Sequence, residues 1–94
     1  MCIVDLSRIE KQLKKIPIAI IVRLTRWVRT VEEFGLAEAR KVKGYHDEAL
    51  KGQRQGQRSI RLGRTWRAIY VEGKSNEINM VIVEEVTSHD YRTK

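Results

Sequence analysis

Residues 20–34 carry Ile20 and Ile21, Leu24, Trp27 and Val28, Val31 and Phe34 at intervals of three or four. That spacing predicts an amphipathic helix of about five turns, and Gly35 stands where a helix is closed by a residue in the left-handed conformation. A stripe this wide has to be buried, so the rest of the chain must supply the layer that covers it. The Ile and Trp positions are therefore core positions.

The neighbouring segments say what that layer is. Ile3, Val4 and Leu6 make a short β-prone run. Ser7 with Glu10 three residues later is a capping-box pattern, and Leu6, Ile9, Leu13 and Ile16 follow helical spacing. Pro17 either stops that helix or opens the next at its first turn. The two helices read as a hairpin. Residues 36–43 allow one or two further helical turns before Gly44. The stretch 45–57 is polar, holds two more glycines, and reads as an exposed loop. A strand then begins at Ser59, Gly63-Arg64-Thr65 turns the chain, and Trp66–Glu72 returns. Residues 73–76 suggest a second turn. Residues 78–86 (INMVIVEEV) are apolar almost without break until Glu84, as expected of a central strand buried on both faces. The expected fold is α+β with order β-α-α-β-β-β: three antiparallel strands, with the N-terminal one added if it forms, and helices on one face. No linker or internal repeat divides it, so residues 1–94 form one domain.

Composition excludes several classes. Of the 94 residues, 41% are hydrophobic and 33% charged, as in an ordinary globular protein and not a disordered one. The longest apolar run, Ile16–Val22, contains Pro17 and falls far short of the ~20 residues that span a bilayer. The N-terminus does not resemble a signal peptide, since charged residues begin at Asp5 and Arg8. A single cysteine, Cys2, rules out an intrachain disulfide or a Cys-rich zinc site. A cytoplasmic protein with no membrane partner is the simplest expectation.

Charge is strongly uneven. Residues 1–48 carry net +3, residues 49–71 carry +6 with no acid, and residues 72–94 carry −2, within a total of +7. Lys51, Arg54, Arg58, Arg61, Arg64 and Arg67 make up the central block. Concentrated like charge costs self-repulsion, which a polyanionic partner offsets. Because the block lies in a hairpin, strand alternation can hold the cations in a fixed array.

The run GYHDEALKGQRQGQRSIRLGRTWRAIY, the hydrophobic strand after it and the terminal VTSHDY together resemble the RelE/HigB-like toxins of bacterial type II toxin–antitoxin systems. VDLSRIEKQLKKIP looks like their opening strand and first helix, so the resemblance spans the chain. Trp66 stands where a tyrosine is common and Ala49 where a proline is frequent. Neither departure removes a group needed for chemistry. The resemblance implies a RelE-like fold and an endoribonuclease that cuts messenger RNA, commonly on the ribosome, without a metal or other cofactor. It also implies a tightly bound antitoxin as partner. The wider superfamily includes members that poison DNA gyrase and do not cut RNA, which is the alternative.

Metal-free RNA cleavage lets the 2′-hydroxyl attack its own phosphate. It needs a proton acceptor, a proton donor for the 5′-oxygen, and cations for the dianionic transition state. Arg61 and Arg67 suit the last role, since the guanidinium fork pairs with two phosphate oxygens and stays charged. A three-residue loop, 63–65, would pair Leu62 with Trp66 and set Arg61 opposite Arg67 on one face, whereas a two-residue loop would separate them. His89, Asp90 and Tyr91 supply the proton-transfer groups. In an extended tail His89 and Tyr91 share a face and Asp90 points away. Lys51, Arg54 and Arg64 are expected to grip RNA, with His46 a weaker candidate for RNA contact or proton transfer beside Asp47 and Glu48. Arg58 is also a candidate for RNA, with the alternative, from its shared parity with Ile60 and Leu62, that it edges the core instead. A metal site built from His46, His89 and carboxylates lacks any tight ligand spacing.

Overall fold

The computed structural model describes residues 2–88. The element that positions the others is helix α2 (Ile18–Phe34), which buries Ile20, Leu24, Trp27 and Val31. Pro17 is its N-cap, and the Pro17 carbonyl accepts the N–H groups of Ile20 and Ile21 at 3.0 and 3.1 Å. Proline costs nothing there, because the first helical turn has no use for its missing N–H. Gly35, with φ 89°, ends the helix and donates its N–H to the Val31 carbonyl. Phe34, expected in the buried stripe, is 65% exposed. The reversal at Gly35 brings Leu36 and Ala39 of the short helix α3 (Leu36–Arg40) into the core instead.

The N-terminal helix is shorter than its periodicity suggests. Strand β1 (Cys2–Asp5) leads into a single 3₁₀ turn at Ser7–Ile9 and then α1 (Glu10–Leu13). Ser7 makes no side-chain cap; the Asp5 carboxylate accepts the Ser7 N–H at 2.9 Å, and that bond holds its pKa below the ordinary carboxylate value. An aspartate two residues ahead of the donor closes this turn more readily than the capping box does.

The sheet has five strands in the order β1-β5-β4-β3-β2, with β2 at Glu48–Ala49, β3 at Arg58–Arg61, β4 at Arg67–Ser75 and β5 at Ile78–Thr87. This is the expected α+β class with two differences. β1 pairs parallel to β5, from Cys2 with Asn79 to Asp5 with Ile82, and β2 adds a short antiparallel edge. The predicted turn at 73–76 is also displaced. β4 continues through Gly73 to Ser75, and the reversal is made by Asn76 and Glu77, both with positive φ. Left-handed pairs match the twist of a hairpin.

The helices cover one face, where Ile60, Leu62, Ala68, Tyr70, Val81, Val83 and Val86 join Trp27 and Leu24 in the core. β5 lies between β1 and β4, an interior strand as its apolarity suggests, but β4 is the middle one and β5 alternates: Val81 and Val83 are buried while Ile82 between them is half-exposed. Between Ile69 and Tyr70 the β4–β5 register shifts, since Ile69 pairs with Glu85 and Tyr70 with Val83. Glu84 is the extra residue, and such bulges re-aim neighbouring side chains. Among the described residues no helix is long and apolar enough to cross a membrane.

Candidate functional site

Register defines a row of side chains on the sheet face away from the helices. Glu48 pairs with Ser59, Ser59 with Ile69, and Ile69 with Glu85. The next row is Arg61, Arg67 and Thr87. The hairpin loop is the odd one: the Leu62 N–H bonds the Trp66 carbonyl at 2.9 Å, and Arg61 lies opposite Arg67.

Arg67 lies at the centre of this face, and its side chain is 7% exposed. Its Nη1 donates to Ser59 Oγ at 2.9 Å and lies 3.7 Å from Glu48 Oε1. The other carboxylate oxygen of Glu48 is 3.5 Å from His46 Nε2. The Glu48 side chain keeps 29% exposure, but its Oε1, the oxygen facing Arg67, is buried, and Arg67 itself is held in place. The stretch 50–57 folds over the adjacent part of the same face. Arg54 donates to Gln57 Oε1 at 3.0 Å and to Glu85 Oε1 at 3.4 Å, and Gln57 donates to Glu84 Oε1 at 2.7 Å. This segment is therefore pinned to the sheet by the bulge residues, and its Leu50 is buried.

Strand alternation sends Asp47 to the opposite side. Its carboxylate, 1% exposed, accepts from Arg58 Nε at 2.6 Å and from the Tyr70 hydroxyl at 2.5 Å. Arg40 of α3 completes the cluster, donating to Tyr70 Oη at 3.4 Å and to Glu72 at 2.7 Å. Burial, and donation of its proton to the Asp47 carboxylate, push the Tyr70 hydroxyl up to about 12. Burial works against the charge on Arg40, but the bonds to Tyr70 and Glu72 outweigh it and hold its pKa above the ordinary value. Trp27 packs on Tyr70 with ring centroids 5.2 Å apart, which ties the cluster to α2. Asp47 thus anchors the segment that presents His46 and Glu48. His46 itself sits in the left-handed region (φ 46°), which places the turn between the 3₁₀ segment Lys43–Tyr45 and β2.

The expected residues therefore part company. Arg67 meets Glu48, Ser59 and, through Glu48, His46. Arg58 lies on the helix-facing side with Asp47, as its parity implied. Arg54 pairs with Glu85. Arg61, despite its register, is exposed and lines a cavity with Arg23 and Arg26 of α2. Lys51 and Arg64 are exposed on loops. His89, Asp90 and Tyr91 lie outside the described residues; Thr87, two positions earlier in the chain, pairs with Arg67. Among the described residues no three His, Cys, Asp or Glu side chains are grouped to hold a metal ion. Glu48 entered the sequence reading only as a neighbour of His46. Its only signal was its place two residues after His46, and a two-residue strand has no periodicity to reveal.

A five-strand sheet of this order, with α2 and α3 packed together among the helices on one face, is an α+β arrangement consistent with a RelE-like fold; the expected hairpin of α2 with the N-terminal helix does not form, because α1 is only four residues long. The YoeB/ParE toxin from Agrobacterium tumefaciens superposes with a TM-score of 0.66 at 16% identity, over 95% of this chain and 98% of that one. The solution structure of a conserved hypothetical protein from Helicobacter pylori does so with a TM-score of 0.52 at 15% identity, over 95% and 96%. At these identities the likeness is one of fold. No protein-family model and no curated protein matches the chain.

Proposed function

We propose that this protein is the toxin of a type II toxin–antitoxin system and acts as a metal-independent endoribonuclease on messenger RNA. The observation that carries the reading is the Glu48–Arg67 pair, a partly exposed carboxylate whose buried Oε1 lies 3.7 Å from a guanidinium held by Ser59. Glu48 takes the proton of the 2′-hydroxyl as its oxygen attacks the adjacent phosphorus. Arg67 pairs with the non-bridging oxygens as negative charge builds on them. His89, protonated, gives its proton to the departing 5′-oxygen, and Tyr91 stacks on a neighbouring base or shares in proton transfer. The products are a 2′,3′-cyclic phosphate and a 5′-hydroxyl end. The RNA is engaged on the translating ribosome in the cytoplasm, and an acidic or amphipathic antitoxin segment covers the basic block between expressions of activity.

The second reading, a toxin that binds and poisons DNA gyrase without cutting RNA, draws on the ParE half of the Agrobacterium neighbour's name. Primer extension on RNA from cells expressing the wild-type protein, Glu48→Gln and His89→Ala separates the two. The nuclease reading predicts new 5′ ends with the wild-type protein only. Growth arrest by all three proteins without new RNA ends would favour gyrase.

A further inference from the structure

A cavity of about 300 Å³ lies outside the Glu48–Arg67 face, lined by Arg23, Arg26, Val42, Gly44, Tyr45 and Arg61. Its construction follows from three elements. Arg23 and Arg26 are three residues apart on α2 and so share one face of the helix. Arg61 ends β3 beyond β2, which pairs only with Arg58 and Ser59, and the segment Lys43–Tyr45 packs beside β3 instead. The β3–β4 turn rests on α2: a Cβ at Gly63 would come within 2.8 Å of Ile20 Cδ1. That contact brings the end of β3 against the helix and its arginines.

Charge compensation sets this cavity apart. Arg54, Arg58 and Arg67 each have a carboxylate within 4.0 Å. Among the described residues Arg23, Arg26 and Arg61 have none. Three uncompensated guanidinium groups around one hollow repel each other, and an anion entering it relieves that repulsion. The planar fork favours phosphate oxygens, and Tyr45, half-buried against the core, offers an aromatic surface beside them. The volume is at the lower end of small-ligand sites, enough for about one nucleotide.

We propose that this cavity is a subsite for one nucleotide of single-stranded RNA, with the phosphate on Arg23, Arg26 and Arg61 and the base against Tyr45. The proposal rests on the RNA-cleaving reading above. It adds a path, since RNA leaving the Arg67 row rounds the end of β3 at Arg61 and ends on α2.

The test is fluorescence anisotropy with the full chain and a labelled, uncleavable 2′-O-methyl oligoribonucleotide of about ten residues, across a salt series. Each phosphate neutralised on a single strand contributes about −0.7 to the log–log salt slope, so Arg23→Gln/Arg26→Gln, which gives up the one phosphate of this subsite, should make it shallower by up to roughly 0.7. Tyr45→Leu should weaken binding about tenfold at every salt concentration and leave the slope unchanged, with Tyr45→Phe close to wild type. Thermal melts confirm that each variant is folded. If the wild-type chain binds this RNA and the double variant keeps its slope and affinity, the subsite is wrong while the RNA reading stands. Should the wild-type chain bind no RNA, both fall. Equal weakening by the double variant toward poly-glutamate and toward RNA would overturn the assignment to RNA in favour of an acidic peptide.

Discussion

The two arginine groups of this protein are used in opposite ways. Three arginines of the sheet and its loop are tied to carboxylates or hydroxyls of the fold: Arg67 to Ser59 and Glu48, Arg54 to Glu85, Arg58 to Asp47. Around the cavity at Arg23, Arg26 and Arg61 the cations meet no described acid. The first arrangement fixes geometry and adds little net charge. The second adds charge and little geometry. Transition-state stabilisation needs the first, because misplacement weakens it sharply. Capture of a polyanion needs the second, because its strength comes from counterion release. The +6 of residues 49–71 is therefore not one surface, and counting cations along the sequence could not divide it.

The largest expected effect is at Glu48. On the proposed reading, Glu48→Gln keeps the size and removes the base, and should slow RNA cleavage by a factor of about 10² to 10⁴. Arg67→Lys keeps the charge but loses the fork and its hold on Ser59. We expect about a 10²-fold loss in cleavage rate and a much smaller loss in RNA binding. Equal losses in both would mean that Arg67 merely anchors RNA, and the contrast between the regions would collapse.

Next come the supports. Asp47→Ala leaves the Tyr70 hydroxyl and Arg58 without their shared acceptor. Both arginines of the cluster are partly solvated, so the cost should be about 2 kcal/mol, or roughly 10 °C in Tm. The Tyr70 hydroxyl gives a pH signature. Its folded pKa is raised to about 12 from an unfolded value of 10.0, so the folded protein keeps its proton where the unfolded chain loses it. Stability from this group is complete below pH 10 and declines between 10 and 12 by up to about 2 kcal/mol. Urea titrations should show that decline reduced in Tyr70→Phe. Arg54→Gln should have the smallest effect. It breaks a pair that is one-third exposed on each side, costing under about 1 kcal/mol. Its RNA salt slope should change less than that of Arg23→Gln, because a cation already paired displaces fewer counterions; a larger change would place the gripping surface on the Arg67 side.

Where local periodicity or parity decides structure, the sequence was informative. The stripe Ile20–Val31, the Gly35 stop, the odd loop that pairs Arg61 with Arg67, and the side taken by Arg58 were all legible. What was not legible depends on distant partners. Nothing in residues 2–5 says that they will lie parallel to β5, and the two-residue β2 acquires its role only by pairing with Ser59. Phe34 fits the stripe by spacing, but the turn at Gly35 hands its place to Leu36. The site follows the same division. Arg67 was visible from its strand position, whereas Glu48 gains meaning only from the 3.7 Å that separates it from Arg67. Nothing in the helix spacing marks Arg23 and Arg26; it is the turn at Gly63 that sets Arg61 beside them.

The central claim is that chemistry resides at the Glu48–Arg67 pair. It is tested most directly by single-turnover cleavage of an end-labelled RNA, with product ends identified by mass spectrometry. The purified wild-type protein should yield 2′,3′-cyclic phosphate and 5′-hydroxyl ends in the presence of a chelator, and Glu48→Gln should yield them at least a hundredfold more slowly while binding the RNA with near wild-type affinity. Cleavage by folded Glu48→Gln at the wild-type rate would contradict the account.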